Sequence, residues 1–139
     1  MAEIYSFTVN GVPRETAEEK PLLRYLRDDL GLTSVKDGCS CVLTTKKAVG
    51  KTILTVEGLT QAEQEAFVYA FGMVGAVQCG FCIPGMVMSG KALLDQVPDP
   101  TEDQIKQAIR GNVCRCTGYK KIIEGITLAG AILRGEAQA

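Results

Sequence analysis

Apolar and polar positions alternate near the start of the chain, with Tyr5, Phe7 and Val9 on one side and Ile4, Ser6, Thr8 and Asn10 on the other. A period of two predicts a strand, and Asn10-Gly11 is a dipeptide suited to a tight hairpin, so a strand–turn–strand opening is expected. The period then lengthens. Pro21 stands where a helix can begin, Leu22, Leu23, Leu26 and Leu30 recur at helical spacing, and Gly31 supplies a stop. After a Gly- and Cys-containing stretch from Lys36 to Cys41, Thr52-Ile53-Leu54-Thr55-Val56 reads as a further strand.

From residue 60 the pattern is helical throughout. Thr60-x-x-Glu63 is a capping box ahead of Ala66, Phe67, Ala70 and Phe71. Pro84 can open a second helix with Met86, Val87, Leu93 and Leu94, which Pro98 and Pro100 end. Thr101-x-x-Gln104 caps a third with Ile105, Ala108 and Ile109. A fourth, after Gly118, places Ile122, Ile126, Ala129 and Leu133 on one face. The expectation is an α+β chain with a boundary near Gly58: a small α+β unit over residues 1–58 and a compact four-helix bundle over 59–139.

Composition narrows the chemistry. The 139 residues are 46% hydrophobic and 22% charged, a globular balance, and the net charge of −1 comes without a basic stripe that would suit nucleic acid. The longest apolar run, Ile122 to Leu133, holds Glu124 and is too short to span a bilayer. Met1-Ala2-Glu3-Ile4-Tyr5 lacks the basic and apolar regions of a secretory signal, so the cytoplasm is expected. There is no His, which removes Cys/His zinc sites and imidazole acid–base catalysis from this chain. There are six Cys, which in such a chain point to metal or redox chemistry.

Four of them form a constellation, Cys79-Gly80-Phe81-Cys82 with Cys114-Arg115-Cys116. Each iron of a [2Fe-2S] cluster takes two thiolates beside the bridging sulfides, and two short turns can each present two sulfurs. Gly80, Gly85, Gly111 and Gly118 permit tight loops in which backbone amides approach sulfur. Arg115, between two ligands, can offset cluster charge. Spacing alone does not separate iron from an all-cysteine zinc site, and a disulfide or idle thiols is a third reading. Met86 and Met88 suit core packing better than metal ligation.

The longer strings resemble the iron–sulfur subunit of the molybdenum hydroxylases, the xanthine dehydrogenase and aldehyde oxidoreductase family. They are Val77-Gln78-Cys79-Gly80-Phe81-Cys82-Ile83-Pro84-Gly85-Met86 and Gly111-Asn112-Val113-Cys114-Arg115-Cys116-Thr117-Gly118-Tyr119. Phe7 to Gly11, Leu22 to Gly31, Lys36 to Cys39 and Val56 to Leu59 resemble other parts of that family, so the likeness covers almost the whole chain. The resemblance implies a ferredoxin-like β-grasp domain over residues 1–58 and a helical [2Fe-2S] domain over 59–139. It makes Cys79, Cys82, Cys114 and Cys116 cluster ligands and turns Gln78 toward a molybdenum-pterin cofactor, although Gln78 reads equally simply as a polar loop residue. Two partners are implied as well: a large molybdenum-pterin catalytic subunit, together with an FAD-binding subunit. Electrons would leave molybdenum and pass through this chain to FAD or another acceptor, and the substrate would bind elsewhere.

The pattern departs from the family at Cys39-Ser40-Cys41. A plant-type cluster needs a Cys-x4-Cys-x2-Cys run and a distant fourth Cys, so a hairpin of roughly 18 residues with two ligands is missing. Cys39 and Cys41 are then remnants of a second [2Fe-2S] site. Three readings stay open: a segment present in the natural protein and absent from this sequence, a true deletion, or a metal with ligands from elsewhere. The first is favoured, because losing a buried hairpin would leave sheet edges unpaired in an otherwise ordinary domain. A zinc-stabilised interaction module and a stand-alone ferredoxin are the competing functions.

Overall fold

The computed structural model describes residues 3–36 and 43–138, so Cys39 and Cys41 lie outside the described residues. The architecture is mixed α+β and divides into two compact units, Met1–Leu59 and Thr60–Ala139.

In the first unit, β1 (Tyr5–Val9) and β2 (Val12–Thr16) form an antiparallel hairpin with Val9 opposite Val12. Asn10 and Gly11 have φ of 48° and 79°, so the turn uses the two positive dihedrals that a tight hairpin needs. A short β3 (Thr52–Ile53) pairs in parallel with β1 and completes the order β2-β1-β3. The run expected to continue to Val56 stops early. The Thr55 amide donates to Asn10 Oδ1 at 2.8 Å instead of to a strand, Asn10 Nδ2 donates to Thr55 Oγ1 at 2.9 Å, and Val56–Gly58 coils into a 3-10 turn.

The expected helix from Leu22 also changes character. α1 (Leu22–Arg24) passes into a π-helical turn, Tyr25–Asp29, in which the Leu30 amide reaches back to the Tyr25 carbonyl at 3.2 Å. Leu22, Leu23, Tyr25 and Leu26 share one helical face and are all buried. Tyr25 packs edge-on against Phe7, with ring centroids 5.3 Å apart, inside a core that includes Tyr5, Val9 and Ala48.

The second unit consists of α2 (Gln61–Met73), α3 (Ile83–Gln96), α4 (Glu102–Ile109) and α5 (Lys120–Leu133). Both capping boxes form: the side chains of Thr60 and Thr101 accept from the amides of Glu63 and Gln104, whose side chains reach back to the threonine amides. Met86, Ile105, Ile122 and Ile126 are fully buried, whereas Leu133, expected on the same face as Ile122, is 40% exposed at the end of α5. Among the described residues no helix is long and apolar enough to cross a membrane.

Candidate metal centre

Two connections at one end of the helices carry the four cysteines. The first begins where α2 ends. The Gly75 amide donates to the Gly72 carbonyl at 3.1 Å and the Ala76 amide to the Phe71 carbonyl at 2.9 Å, with Gly75 at φ +67°. This pair of bonds turns the chain sharply off the helix and launches Val77 to Phe81. Gly80 is left-handed at φ +82° and its carbonyl accepts from Ile83, so Cys79 and Cys82 stand on one tight turn. Cys82 is the N-cap residue of α3, its carbonyl accepts from Met86 at 3.0 Å, and Pro84 fits the first helical turn.

The second connection runs from α4 to α5. The Asn112 amide donates to the Ile109 carbonyl at 2.8 Å, which fixes the exit from α4. The Cys114 amide donates to the Tyr119 hydroxyl at 2.8 Å. Tyr119 can reach back because Gly118 and Tyr119 are consecutive left-handed residues, at φ 66° and 72°. Thr117 folds over Cys114: its hydroxyl lies 3.0 Å from Cys114 Sγ and its amide donates to the same sulfur at 3.4 Å. The Tyr119 amide donates to the Thr117 hydroxyl at 3.3 Å, which leaves that hydroxyl proton free to point at sulfur.

The two connections meet in pairs. Cys82 hydrogen-bonds with Cys114, and Cys79 with Cys116. Cys82 and Cys114 are half-buried, Cys79 and Cys116 are exposed, and all four are free thiols. Burial pushes the Cys82 thiol up to about 11, helped by its hydrogen bond with Cys114. Burial also works against a Cys114 thiolate, but hydrogen bonds from the side chain and amide of Thr117, the Cys116 amide and Cys82 outweigh it and hold Cys114 down to about 7. The hydrogen bond with Cys79 raises Cys116 above the usual thiol range.

This donor set fits a binuclear iron–sulfur group. The two turns bring four free thiols together as two hydrogen-bonded pairs, Cys82 with Cys114 and Cys79 with Cys116. Two irons with two thiolates each match two pairs, whereas a structural zinc gathers four donors around one ion. Amide and hydroxyl donors at Cys114 supply the hydrogen bonds that stabilise charged sulfur.

The comparisons agree. Residues 55–127 match the [2Fe-2S] binding domain family. The chain is 41% identical to the nicotinate dehydrogenase small FeS subunit of Eubacterium barkeri, with 89% of this chain and 92% of the relative covered. It is 36% identical to the nicotine 6-hydroxylase small subunit of Paenarthrobacter nicotinovorans, over 85% of this chain and 84% of that one. The chain belongs to the family of small iron–sulfur subunits of the molybdenum hydroxylases.

Solved structures extend the likeness to this iron–sulfur subunit's fold. Quinoline 2-oxidoreductase from Pseudomonas putida 86 matches 97% of the chain and 98% of its own, with a TM-score of 0.80 and 36% identity. Aldehyde oxidoreductase from Desulfovibrio desulfuricans matches 98% of this chain and 18% of its own, with a TM-score of 0.86 and 32% identity. The chain thus serves electron transfer within an oxidoreductase, and a redox-silent zinc module is not favoured.

Gln78, expected beside a cofactor, is exposed on the cysteine turn next to Cys79. The sequence by itself gives no role to Thr117, Tyr119 or Asn112. A threonine three residues after a ligand is the signal for the first, since that spacing brings both hydroxyl and amide back onto sulfur. No comparable local pattern marks the other two.

Proposed function

We propose that Cys79, Cys82, Cys114 and Cys116 hold one [2Fe-2S] cluster through which the chain relays electrons from a molybdenum-pterin subunit toward FAD or another acceptor. The paired meeting of the two cysteine turns is the observation that carries this reading. The bound cluster would supply a one-electron carrier. The chain's own residues fix four sulfurs on two rigid turns and donate hydrogen bonds to Cys114.

The arrangement has a direction. Cys79 and Cys116 are exposed, and Val77, Phe81 and Val113 stand around the turns at 47%, 51% and 66% exposure. An apolar surface beside a redox group suits cover by a large partner, and the exposed Gln78 is read as the contact to its pterin. This is the basis for proposing the catalytic subunit on that side. The first unit is read as the ferredoxin-like β-grasp domain, and the second as the four-helix bundle domain.

Cys39 and Cys41 are read as remnants of a second cluster site. The alignment with the Eubacterium barkeri subunit spans 145 positions, more than the 139 residues of this chain, of which it includes 89%. The relative therefore carries internal residues that have no counterpart here, which supports a missing segment. The test of the relay is a dithionite titration of anaerobically purified protein followed by electron paramagnetic resonance. A reversible one-electron signal supports it, and a site silent at every potential overturns it.

A further inference from the structure

Asn112 joins the two cysteine turns from the side. Its Nδ2 donates to Ser89 Oγ at 2.7 Å, and its Oδ1 occupies the space over Gly85 that a Cβ there would fill. Gly85 and Ser89 are four residues apart on α3, so they lie one above the other on a single face, separated by about one 5.4 Å turn. The amide group of Asn112 bridges that turn, with its carbonyl in the notch at Gly85 and its NH2 on Ser89. Its backbone is fixed separately, by the bond from its amide to the Ile109 carbonyl at 2.8 Å at the end of α4.

Both ends of this bridge are close to sulfur ligands. Cys82 caps α3 three residues before Gly85, and Cys114 follows Asn112 by two residues. Cys82 and Cys114 are also one of the two thiol pairs that hydrogen-bond across the turns. Cys79 and Cys116 have no such brace among the described contacts of Asn112. We infer that Asn112, seated between Gly85 and Ser89, is a positioning residue that sets the spacing of the Cys82–Cys114 pair and so the hold on the cluster. This rests on reading the four thiols as cluster ligands.

The geometry makes a specific demand on Gly85. A methyl group there would meet the Asn112 carbonyl, whereas with Asn112 shortened to Ala the same methyl has room. The effects of changing the two residues must therefore be far from additive.

The experiment uses the full chain, reconstituted with iron and sulfide, in five forms: wild type, Asn112→Ala, Gly85→Ala, the double variant, and Ser89→Ala. Cluster release to a chelator and the midpoint potential are read together with far-ultraviolet circular dichroism. Asn112→Ala and Gly85→Ala are each expected to release the cluster about 10- to 100-fold faster, the usual effect of losing an outer-shell partner, with helix content kept and the potential shifted. The double variant should be no faster than Asn112→Ala alone. Ser89→Ala, which removes one hydrogen bond and creates no clash, should move release in the same direction by less and keeps the test open where a larger change disturbs folding. Wild-type release from Asn112→Ala and Ser89→Ala, or additive effects in the double variant, would overturn the inference. A wild-type chain that takes up no iron and sulfide would instead overturn the ligand reading beneath it.

Discussion

The ring of Phe71 fills the notch that Gly125 leaves on α5. A Cβ at Gly125 would run into Cδ1 and Cε1 of that ring, so the packing of α2 on α5 at this point depends on glycine having no side chain. Phe71 is 2% exposed and packs edge-on against Phe67 at 6.0 Å. Since α2 feeds the first cysteine turn and α5 anchors Tyr119 after the second, this contact helps hold the two turns in register.

Gly125→Ala should therefore overpack the interface and destabilise the helical unit by about 1–3 kcal/mol. Chemical denaturation of the cluster-free chain checks it, and an unchanged midpoint would show that the ring moves aside freely.

Tyr119→Phe keeps the ring and removes the acceptor for the Cys114 amide. A half-buried amide left without a partner costs about 1–3 kcal/mol. The variant should unfold at a lower temperature without its cluster, and should lose iron faster with it, while circular dichroism shows the same helix content.

In the cluster-free chain Cys114 should be alkylated near neutral pH far more readily than Cys82, the other half-buried thiol of the site. Its proton leaves at about 7, while Cys82 keeps its own to about 11. The sign for stability follows. A lowered thiol in the folded state contributes stability that is fully present above the ordinary thiol range and is lost as pH falls through about 7. Mass spectrometry of the alkylated chain across pH measures the midpoint, and Thr117→Val, which removes the hydroxyl, should raise it.

Glu63 gives a second pH dependence. Burial opposes its charge, but Lys91, with Nζ at 2.8 Å, and the amide and hydroxyl of Thr60 more than offset that and hold the carboxyl below its usual value. The stability it contributes is present above the ordinary carboxylate range and declines as pH falls through the lowered value. Glu63→Gln keeps the capping geometry and loses the titrating charge. Its unfolding temperature should start lower than wild type near neutrality, and the gap should close as the solution is acidified.

The elements with local signatures were legible in the sequence. Asn10-Gly11 made its hairpin, and Thr60 and Thr101 made their capping boxes, because these structures are decided within four residues. The run at Thr52–Val56 misled because its end depends on a residue 45 positions away, Asn10, which takes the Thr55 amide. The Leu spacing after Pro21 predicted an ordinary helix and did not signal the π-helical turn over Tyr25–Asp29. At the site, the spacing of the cysteines could be read but not which sulfurs meet. That pairing depends on the left-handed Gly118-Tyr119 step and on Asn112 reaching Ser89, both set by tertiary structure.

The most direct test of the central claim is to count iron, zinc and acid-labile sulfide in anaerobically purified protein in which Cys39 and Cys41 are both replaced by serine. The account predicts two iron and two sulfide per chain, as a [2Fe-2S] cluster requires, with reddish-brown absorbance that is lost when any one of Cys79, Cys82, Cys114 or Cys116 is also changed. A colourless protein with one zinc per chain, or one with iron that survives loss of those cysteines, would contradict it.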